Sequence, residues 1–394
     1  MAGSANTSEE FERLLEGARR FADEVIEPNA ERYEAEGAVD RAAFRAAAAY
    51  DLCGLVVPVE MGGQGLGARG MSAVMRILAA RCMTTAFAFV VHNNLAGNIA
   101  RNGTPEHQTQ ILPAMLAGER IGAFLLTEPQ GGSDPAATVT RAARWDGQWR
   151  LNGEKAWVSN GRYADVLSVY AQTDAALGWR GIACFLVAGE SAGLVRGTPY
   201  RMLRGHGLGT SPITFEDCVV PDDGLLVGPG DAFKSAMQGI DLARINVAAM
   251  CCGMLERGLA EALAFAAPRS LFGQGVLAFQ GIQWMLADVA TDLEAATLLT
   301  ERAAELLDQG ADATLGAAHA KKFATRAAFK GLSDCMQVMG AHGLDAAHPL
   351  ARHLAAAKIA QFLDGTTEIQ NHVISRRLVL EGVVPNFAGS VNGR

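Results

Sequence analysis

Phe11, Leu14, Leu15, Ala18, Phe21, Ala22 and Val25 recur at helical spacing, with Glu and Arg between them. That period puts one apolar stripe on an otherwise charged cylinder, so the chain begins with an amphipathic helix buried along one side. Pro28 lacks a backbone donor and is expected to end or kink it. Ala-rich stretches at 42–49 and 72–80 continue the helical pattern around a Gly-rich turn at 61–67, and residues 1–120 read as a helical domain. The period changes at Ile121. Short β-rich runs such as 164–171 (ADVLSVYA) and 182–187 alternate with the turn signals Asp146-Gly147 and Asn152-Gly153. Runs so closely spaced predict a small β-barrel or sandwich over 121–228 rather than alternating βαβ units. Long helical patterns return over 229–394, persisting to about Leu380. The expected fold is mainly α with a central β-domain.

Composition narrows the function. With 394 residues, 49% of them apolar, the chain can bury a large core and form two or three domains. A net charge of -8 without a Lys/Arg cluster argues against nucleic acid as the main partner. The start, MAGSANTSEEF, has no basic patch before an apolar run and is too acidic for a mitochondrial presequence. The apolar run 245–255 contains Asn246 and Gly253 and falls short of the roughly 18 residues needed to span a bilayer. A soluble, cytoplasmic chain with no membrane partner is expected. Its seven cysteines form no CxxC pair and sit among apolar neighbours, which predicts buried free thiols. Its eight histidines show no HExxH spacing, and no metal is expected.

A formal GxGxxG at Gly65, Gly67 and Gly70 lacks the context of a dinucleotide fold. Pro58 interrupts the candidate strand before it, and no acid near residue 90 could hold a ribose. A Gly-rich surface turn is expected instead. The segment 124–134, FLLTEPQGGSD, is more specific. Gly131 and Gly132 let backbone amides turn inward while Thr127 and Ser133 supply hydroxyls, a set suited to a flavin edge or a phosphate. Taken alone it also fits a plain turn. In 152–161, NGEKAWVSNG, Trp157 can lay its face on a planar ring while a nearby hydroxyl reaches the edge. In 269–280, RSLFGQGVLAFQ, the planar fork of Arg269 suits a pyrophosphate and Phe272 can pack beside it, although a surface Arg and a core Phe fit each residue singly. A sharp turn between helices is expected at 337–343, QVMGAHG. Last comes 362–370, FLDGTTEIQ, an Asp-Gly-Thr turn closing a long helical region.

In this order the five segments resemble the FAD-dependent acyl-CoA dehydrogenase family over nearly the whole chain, with further matching stretches at 54–66, 102–126 and 358–378. The resemblance implies an N-terminal helical domain, a middle β-barrel and a C-terminal four-helix bundle, assembled as a homotetramer. FAD would lie between the β-domain and the C-terminal helices. Around the flavin it implies Phe124, Leu126, Thr127, Gly132, Ser133, Trp157, Val158 and Ser159, the last standing where the family often has Thr. Arg269, Phe272 and Gln280 would hold the adenosine diphosphate half across a subunit boundary, together with Gln337, Gly340 and Ala341, where Gly is usual. Thr366 and Glu368 would complete the FAD site. Ser133, Asp241, Arg244 and Gly365 would contact the acyl thioester.

The implied reaction is α,β-dehydrogenation of an acyl thioester on coenzyme A or an acyl carrier protein, with electrons passing to an electron-transfer flavoprotein. It needs a base for the weakly acidic α-proton, donors for the developing enolate oxygen, and a hydride acceptor. By the resemblance Asp364 is the base, at the position of the family's commonest catalytic Glu. A minority of members place the base at the position of Ala243, which has no group to accept a proton. His92 is a secondary acid–base candidate near the acyl pocket. Aspartate reaches roughly 1.3 Å less far than glutamate, and a misplacement of about 1 Å can cost around a hundredfold. Three readings follow: a closer backbone, an acyl group that is branched, cyclic or polar at its α-carbon, or a slow remnant. Ala355-Ala356 in place of the usual Arg-Asp pair also sets this chain apart from ordinary fatty-acid enzymes. The alternative activity is a flavin oxidase or monooxygenase, whose members usually lack a carboxylate at this position.

Overall fold

The computed structural model describes residues 8–380. The first seven residues, read above for a leader, and residues 381–394, counted in the C-terminal region, lie outside the described residues. Six helices come first: α1 (Ser8–Phe21), α2 (Glu27–Glu36), α3 (Arg41–Ala48), α4 (Ala68–Asn102), α5 (Pro105–Gln110) and α6 (Leu112–Leu116). α1 buries Leu14, Leu15, Ala18 and Phe21, the stripe read from spacing. Pro28 does not end the run. The helix passes through one π turn, Ala22–Ile26, and continues into α2, with Pro28, which has no N–H to donate, placed directly after that turn.

The β-domain holds β1 (Gly122–Leu125), β2 (Arg141–Trp145), β3 (Gln148–Val158), β4 (Val166–Gln172), β5 (Ile182–Ala188), β6 (Leu194–Arg196), β7 (Ser211–Val220) and β8 (Leu225–Val227). They pair in the order β6-β7-β3-β2-β4-β5-β8, with β1 added parallel to β4. Asp146 and Gly147 join β2 to β3 with φ of 48° and 73°, the tight hairpin their sequence calls for. Asn152-Gly153 is not a turn. It lies inside β3, where a register shift between Leu151 and Gly153 and a φ of 143° at Gly153 mark a bulge. β4 is buried on both faces. Leu167, Val169 and Ala171 enter the sheet's own core, while Val166 and Tyr170 join Leu95 and Ile99 of α4. That double burial explains its run of apolar residues without polar alternation.

After the sheet come α7 (Ala232–Ala266), the small hairpin β9 (Ser270–Leu271) and β10 (Gln274–Gly275), then α8 (Gln280–Asp308), α9 (Thr314–Met339), α10 (Pro349–Ala360) and α11 (Thr367–Leu380). α4, α7, α8 and α9 share one core rich in Ala. Glycine lets them approach closely: a Cβ on Gly253 would stand 2.1 Å from the Arg76 carbonyl oxygen. Among the described residues α4 is the helix long and apolar enough to cross a membrane, but it is mostly buried within the protein. Its backbone also breaks at Cys82, which is extended (φ -157°, ψ 108°). The segment before the break meets Asn246 and Glu256 of α7 through Met71 and Arg76, so it runs in the same direction as α7. The segment after it joins Leu95 and Ile99 to a second buried cluster that includes Val166 and Tyr170 of β4 and Ala232 and Ala236 of α7.

The GxGxxG turn opens α4, and the Asp308 carboxylate of α8 accepts from the Ala68 and Arg69 N–H groups there. The anion-binding end of that helix is therefore already filled by the protein. All seven cysteines are buried free thiols.

Candidate active site

The connection from α10 to α11 turns sharply because Asp364 (φ 48°) and Gly365 (φ 93°) are both left-handed. Gly365 has neither the φ nor the room for a side chain, since a Cβ there would meet Gln370 Nε2 at 3.1 Å. Three side chains hold the turn from inside. Arg244 Nε donates to the Asp364 carbonyl at 3.1 Å, Lys321 Nζ to the Gly365 carbonyl at 2.7 Å, and Gln370 Nε2 to the same carbonyl at 2.9 Å. Arg244 is aimed in turn by Asp241 at 3.0 Å, whose other oxygen accepts from the Thr314 hydroxyl at 2.7 Å. Asp241 and Arg244 thus brace this turn.

With its backbone tied, Asp364 turns its carboxylate into a narrow cavity of about 60 Å³ walled by α4, α7, β1 and β4. Its Oδ2 is buried and has no partner. Burial raises this carboxyl to about 6, with Lys321 and Arg244 opposing the rise. Phe87, Val90 and Phe124 give apolar walls, and Ala243 offers only a methyl. An unpaired carboxylate poised near neutrality in such a place can accept a proton from whatever fills the cavity.

His92 takes no part. Its Nδ1 accepts from the Gly122 N–H at 3.3 Å and its Nε2 faces the Met115 carbonyl at 3.2 Å, so the ring ties α4 to α6 and β1. Burial lowers it to about 4, and it is a neutral structural imidazole.

The second group of expected residues lies on the β-domain. A register shift between Lys155 and Val158 turns Trp157 outward with φ 56°, a conformation a bulky residue adopts only under constraint. One face of its indole stacks on Tyr200 at 4.0 Å and 21°, and the residue stays 58% exposed. Below it, Glu128 accepts from Lys155 at 2.7 Å and from the Val139 and Thr140 N–H groups at 2.7 and 2.9 Å. Burial alone would raise this carboxyl, but Lys155 and the hydrogen bonds hold it at about 2. Burial lowers Lys155 to about 8, with Glu128 opposing. The buried pair pins the loop that carries the exposed Gly131, Gly132 and Ser133 beside Thr127.

A Cβ on Gly132 would stand 3.0 Å from Thr127 Cγ2, so the loop packs as a cradle that a side chain would fill. A planar ring laid near Trp157 would find the Thr127 and Ser159 hydroxyls and the glycine amides, and these residues fit a flavin. Leu126 and Val158 send their side chains into the core, leaving only their main chain to face such a ring. Phe124 turns into the cavity of Asp364 and packs on Tyr170, with ring centroids 5.2 Å apart.

The third group sits on the exposed end of the helical bundle. Arg269 lies over Phe265 at 4.2 Å, and Phe265 meets His342 at 5.0 Å, which brings Arg269 next to Gly340 and Ala341. Phe272 is 95% exposed with φ 50° and contacts Phe279 beside Gln280. Gln337 is exposed on the last turn of α9. Among the described residues no hydrogen bond or ring contact joins this group to Trp157 or Asp364. Thr366 accepts from the Ile369 N–H at 3.4 Å, and Glu368 is exposed in the first turn of α11.

Sequence reasoning passed over Lys321 and Glu128. Lys321 falls at helical spacing among the buried Ala317, Ala320, Ala324 and Ala328. A charge on such a stripe must be bound by something, and that was the available signal. Among the described residues no group of His, Cys, Asp and Glu is placed to hold a metal ion.

Family models match along the chain: "Acyl-CoA dehydrogenase, N-terminal domain" over residues 8–119, the middle domain over 123–218 and the C-terminal domain over 230–379. The chain is 36% identical over 377 residues to the mitochondrial short-chain specific acyl-CoA dehydrogenase of Homo sapiens, covering 95% of this chain and 92% of that one. It superposes on butyryl-CoA dehydrogenase from Megasphaera elsdenii with a TM-score of 0.89 and 30% identity, over 96% of this chain and 100% of that one. A structure of PigA with FAD and proline gives a TM-score of 0.89 at 28% identity, with the same coverage.

Proposed function

The chain belongs to the acyl-CoA dehydrogenase family, and on that premise we propose that Asp364 is the base that takes the α-proton of its substrate. The enzyme is a flavin-dependent oxidoreductase that acts on CH–CH bonds and introduces an α,β double bond into an acyl-CoA; the oxidase alternative is not favoured. Its cofactor, FAD, supplies the acceptor for the β-hydride. One observation carries the proposal: the Asp364 carboxylate is the acidic group in the cavity, and its Oδ2 has no internal partner.

The chain's own residues divide the work. Asp364 accepts the α-proton while its backbone N–H is aimed at the enolate oxygen. Arg244 and Lys321 fix the turn so that the base sits at a set distance from the substrate. Trp157, Thr127 and Ser159 orient the flavin, and Ser133 and Asp241 lie toward the thioester arm. The narrow cavity favours a short acyl group.

Among the described residues, no hydrogen bond or ring contact joins the exposed Arg269, Phe272, Gln280, Gln337, Gly340 and Ala341 to Trp157. We assign them to the adenosine diphosphate half of FAD bound by a second copy, within a homotetramer. The domains run 1–120, 121–228 and 229–394. The setting is the cytoplasm, the carrier is coenzyme A or an acyl carrier protein, and the electron acceptor is an electron-transfer flavoprotein.

The test is anaerobic titration of the purified flavoprotein with a panel of acyl thioesters. Bleaching of the flavin in wild type and its loss in Asp364→Ala are expected. Equal bleaching in the variant removes Asp364 as the base.

A further inference from the structure

The walls of the Asp364 cavity are not uniformly apolar. α4 lines it with Phe87, Val90, Val91, Asn94 and Asn98, positions that recur on one helical face. The first three belong to the buried core on which Leu363, the neighbour of Asp364, also packs. Asn94 opens the next turn, where Leu95 and Ile99 pass into the core shared with the sheet. The apolar lining thus belongs with the base, and a pair of amides follows it along the helix.

Asn94 Oδ1 is buried and has no hydrogen-bond partner. One turn on, about 6 Å along the axis, Asn98 gives its own oxygen to Asn102 Nδ2 at 2.7 Å, which keeps its amide nitrogen as a donor. Across from them on β4, Ser168 donates to the Ala123 carbonyl at 3.3 Å, so its oxygen is left to accept. An amide acceptor and an amide donor thus line the same space. An alkyl chain pushed between them strips their solvent and returns no hydrogen bond. A hydroxyl on that chain donates to Asn94 and accepts from Asn98. A carboxylate or a ketone only accepts and cannot meet the Asn94 oxygen, and an ammonium would meet the positive Arg101 that lines the same cavity.

We propose that Asn94 and Asn98 select a short acyl group that carries a hydroxyl beyond its β-carbon, which makes them specificity-determining residues for hydroxyacyl thioesters. This rests on the acyl-thioester reading and names the substrate class at the same site. Asp364 still takes the α-proton, and the hydroxyl only holds the chain.

The experiment uses the FAD-loaded enzyme and coenzyme A thioesters in pairs matched in size: 4-hydroxybutyryl against pentanoyl and 5-hydroxypentanoyl against hexanoyl, with glutaryl as the carboxylate arm. kcat/KM for anaerobic flavin bleaching is measured for wild type, Asn94→Leu and Asn98→Leu, and calorimetry on the same three chains carrying Asp364→Asn gives Kd without turnover. In wild type the better hydroxyacyl thioester should exceed its alkyl match by about ten- to a hundredfold, the cost of leaving a buried amide unpaired. Asn94→Leu should reverse that preference, and Asn98→Leu should reduce it to about threefold or less. A damaged fold lowers both members of a pair together and leaves their ratio in place, so the ratio reads recognition alone. A wild-type ratio near one for both pairs, or a ratio unchanged in Asn94→Leu, overturns the proposal. So does a wild-type preference for glutaryl over both hydroxyacyl thioesters. Failure of every thioester to bleach the flavin sinks the dehydrogenase reading instead, while the ratio of Kd values still decides the role of the two asparagines.

Discussion

The acid limb of the pH–rate profile should belong to Asp364 and should lie far above the usual carboxylate range. Burial holds this carboxyl at about 6, and only its charged form can take a proton. At pH 5 roughly one molecule in ten then carries the base, so kcat/KM for the free enzyme should be about tenfold below its plateau. An ordinary Asp at about 3.9 would have lost less than a tenth of its activity there. Stopped-flow bleaching under anaerobic conditions between pH 4.5 and 8, with a thioester that has no titratable group in that range, measures this directly. Asp364→Asn should lose about 10²- to 10⁴-fold in rate and lose the limb with it.

Stability gives an independent reading. Because the folded-state pKa lies above the unfolded one, the contribution of neutral Asp364 is complete below about 4 and disappears as pH rises through about 6. The wild-type melting temperature should fall relative to Asp364→Asn across that window. A limb centred below pH 4.5, or one that survives in Asp364→Asn, refutes the argument that burial tunes the base.

Three other perturbations follow from the same contacts. Lys321→Met strips the Gly365 and Gln361 carbonyls of a donor, which should cost about 1–3 kcal/mol, and it removes a charge that opposes the rise of Asp364; thermal melts should drop and the acid limb should move to higher pH. Lys155→Met leaves Glu128 buried and unpaired at a cost of about 3–5 kcal/mol, measurable by urea unfolding, and the double variant with Glu128→Gln should recover part of it. Gly132→Ala puts a methyl against Thr127 and should weaken flavin retention, seen as cofactor lost on gel filtration, with little change in the melt of the flavin-free protein.

The fold was legible where local pattern and burial agree. The α1 stripe, the Asp146-Gly147 hairpin and the β4 and β5 runs each state their environment in their spacing. Asn152-Gly153 misled because a glycine that permits a turn also permits a bulge, and only pairing with β7 decides between them. At Pro28 the helix does not end but passes through a π turn just before it, and that turn leaves no trace in composition. In the site, Thr127 and Trp157 lie on short motifs whose residue types suit a planar ring, while Asp364 was marked by the family resemblance rather than by its own spacing. Lys321 and Glu128 act across distances of tens of positions, and His92 turned out to bind backbone rather than substrate. Whether a polar residue on an apolar stripe faces a cavity or a carbonyl depends on a partner that the helix itself does not encode.

The break at Cys82 reaches beyond packing. By letting one helix enter the bundle core before the break and the cluster shared with the sheet after it, it fastens the N-terminal helices to the C-terminal bundle on one side and to the sheet on the other. No third of the molecule can then loosen without exposing apolar surface of the other two. Heating should give a single calorimetric transition rather than stepwise melting, and limited proteolysis should yield no long-lived fragment the size of a domain.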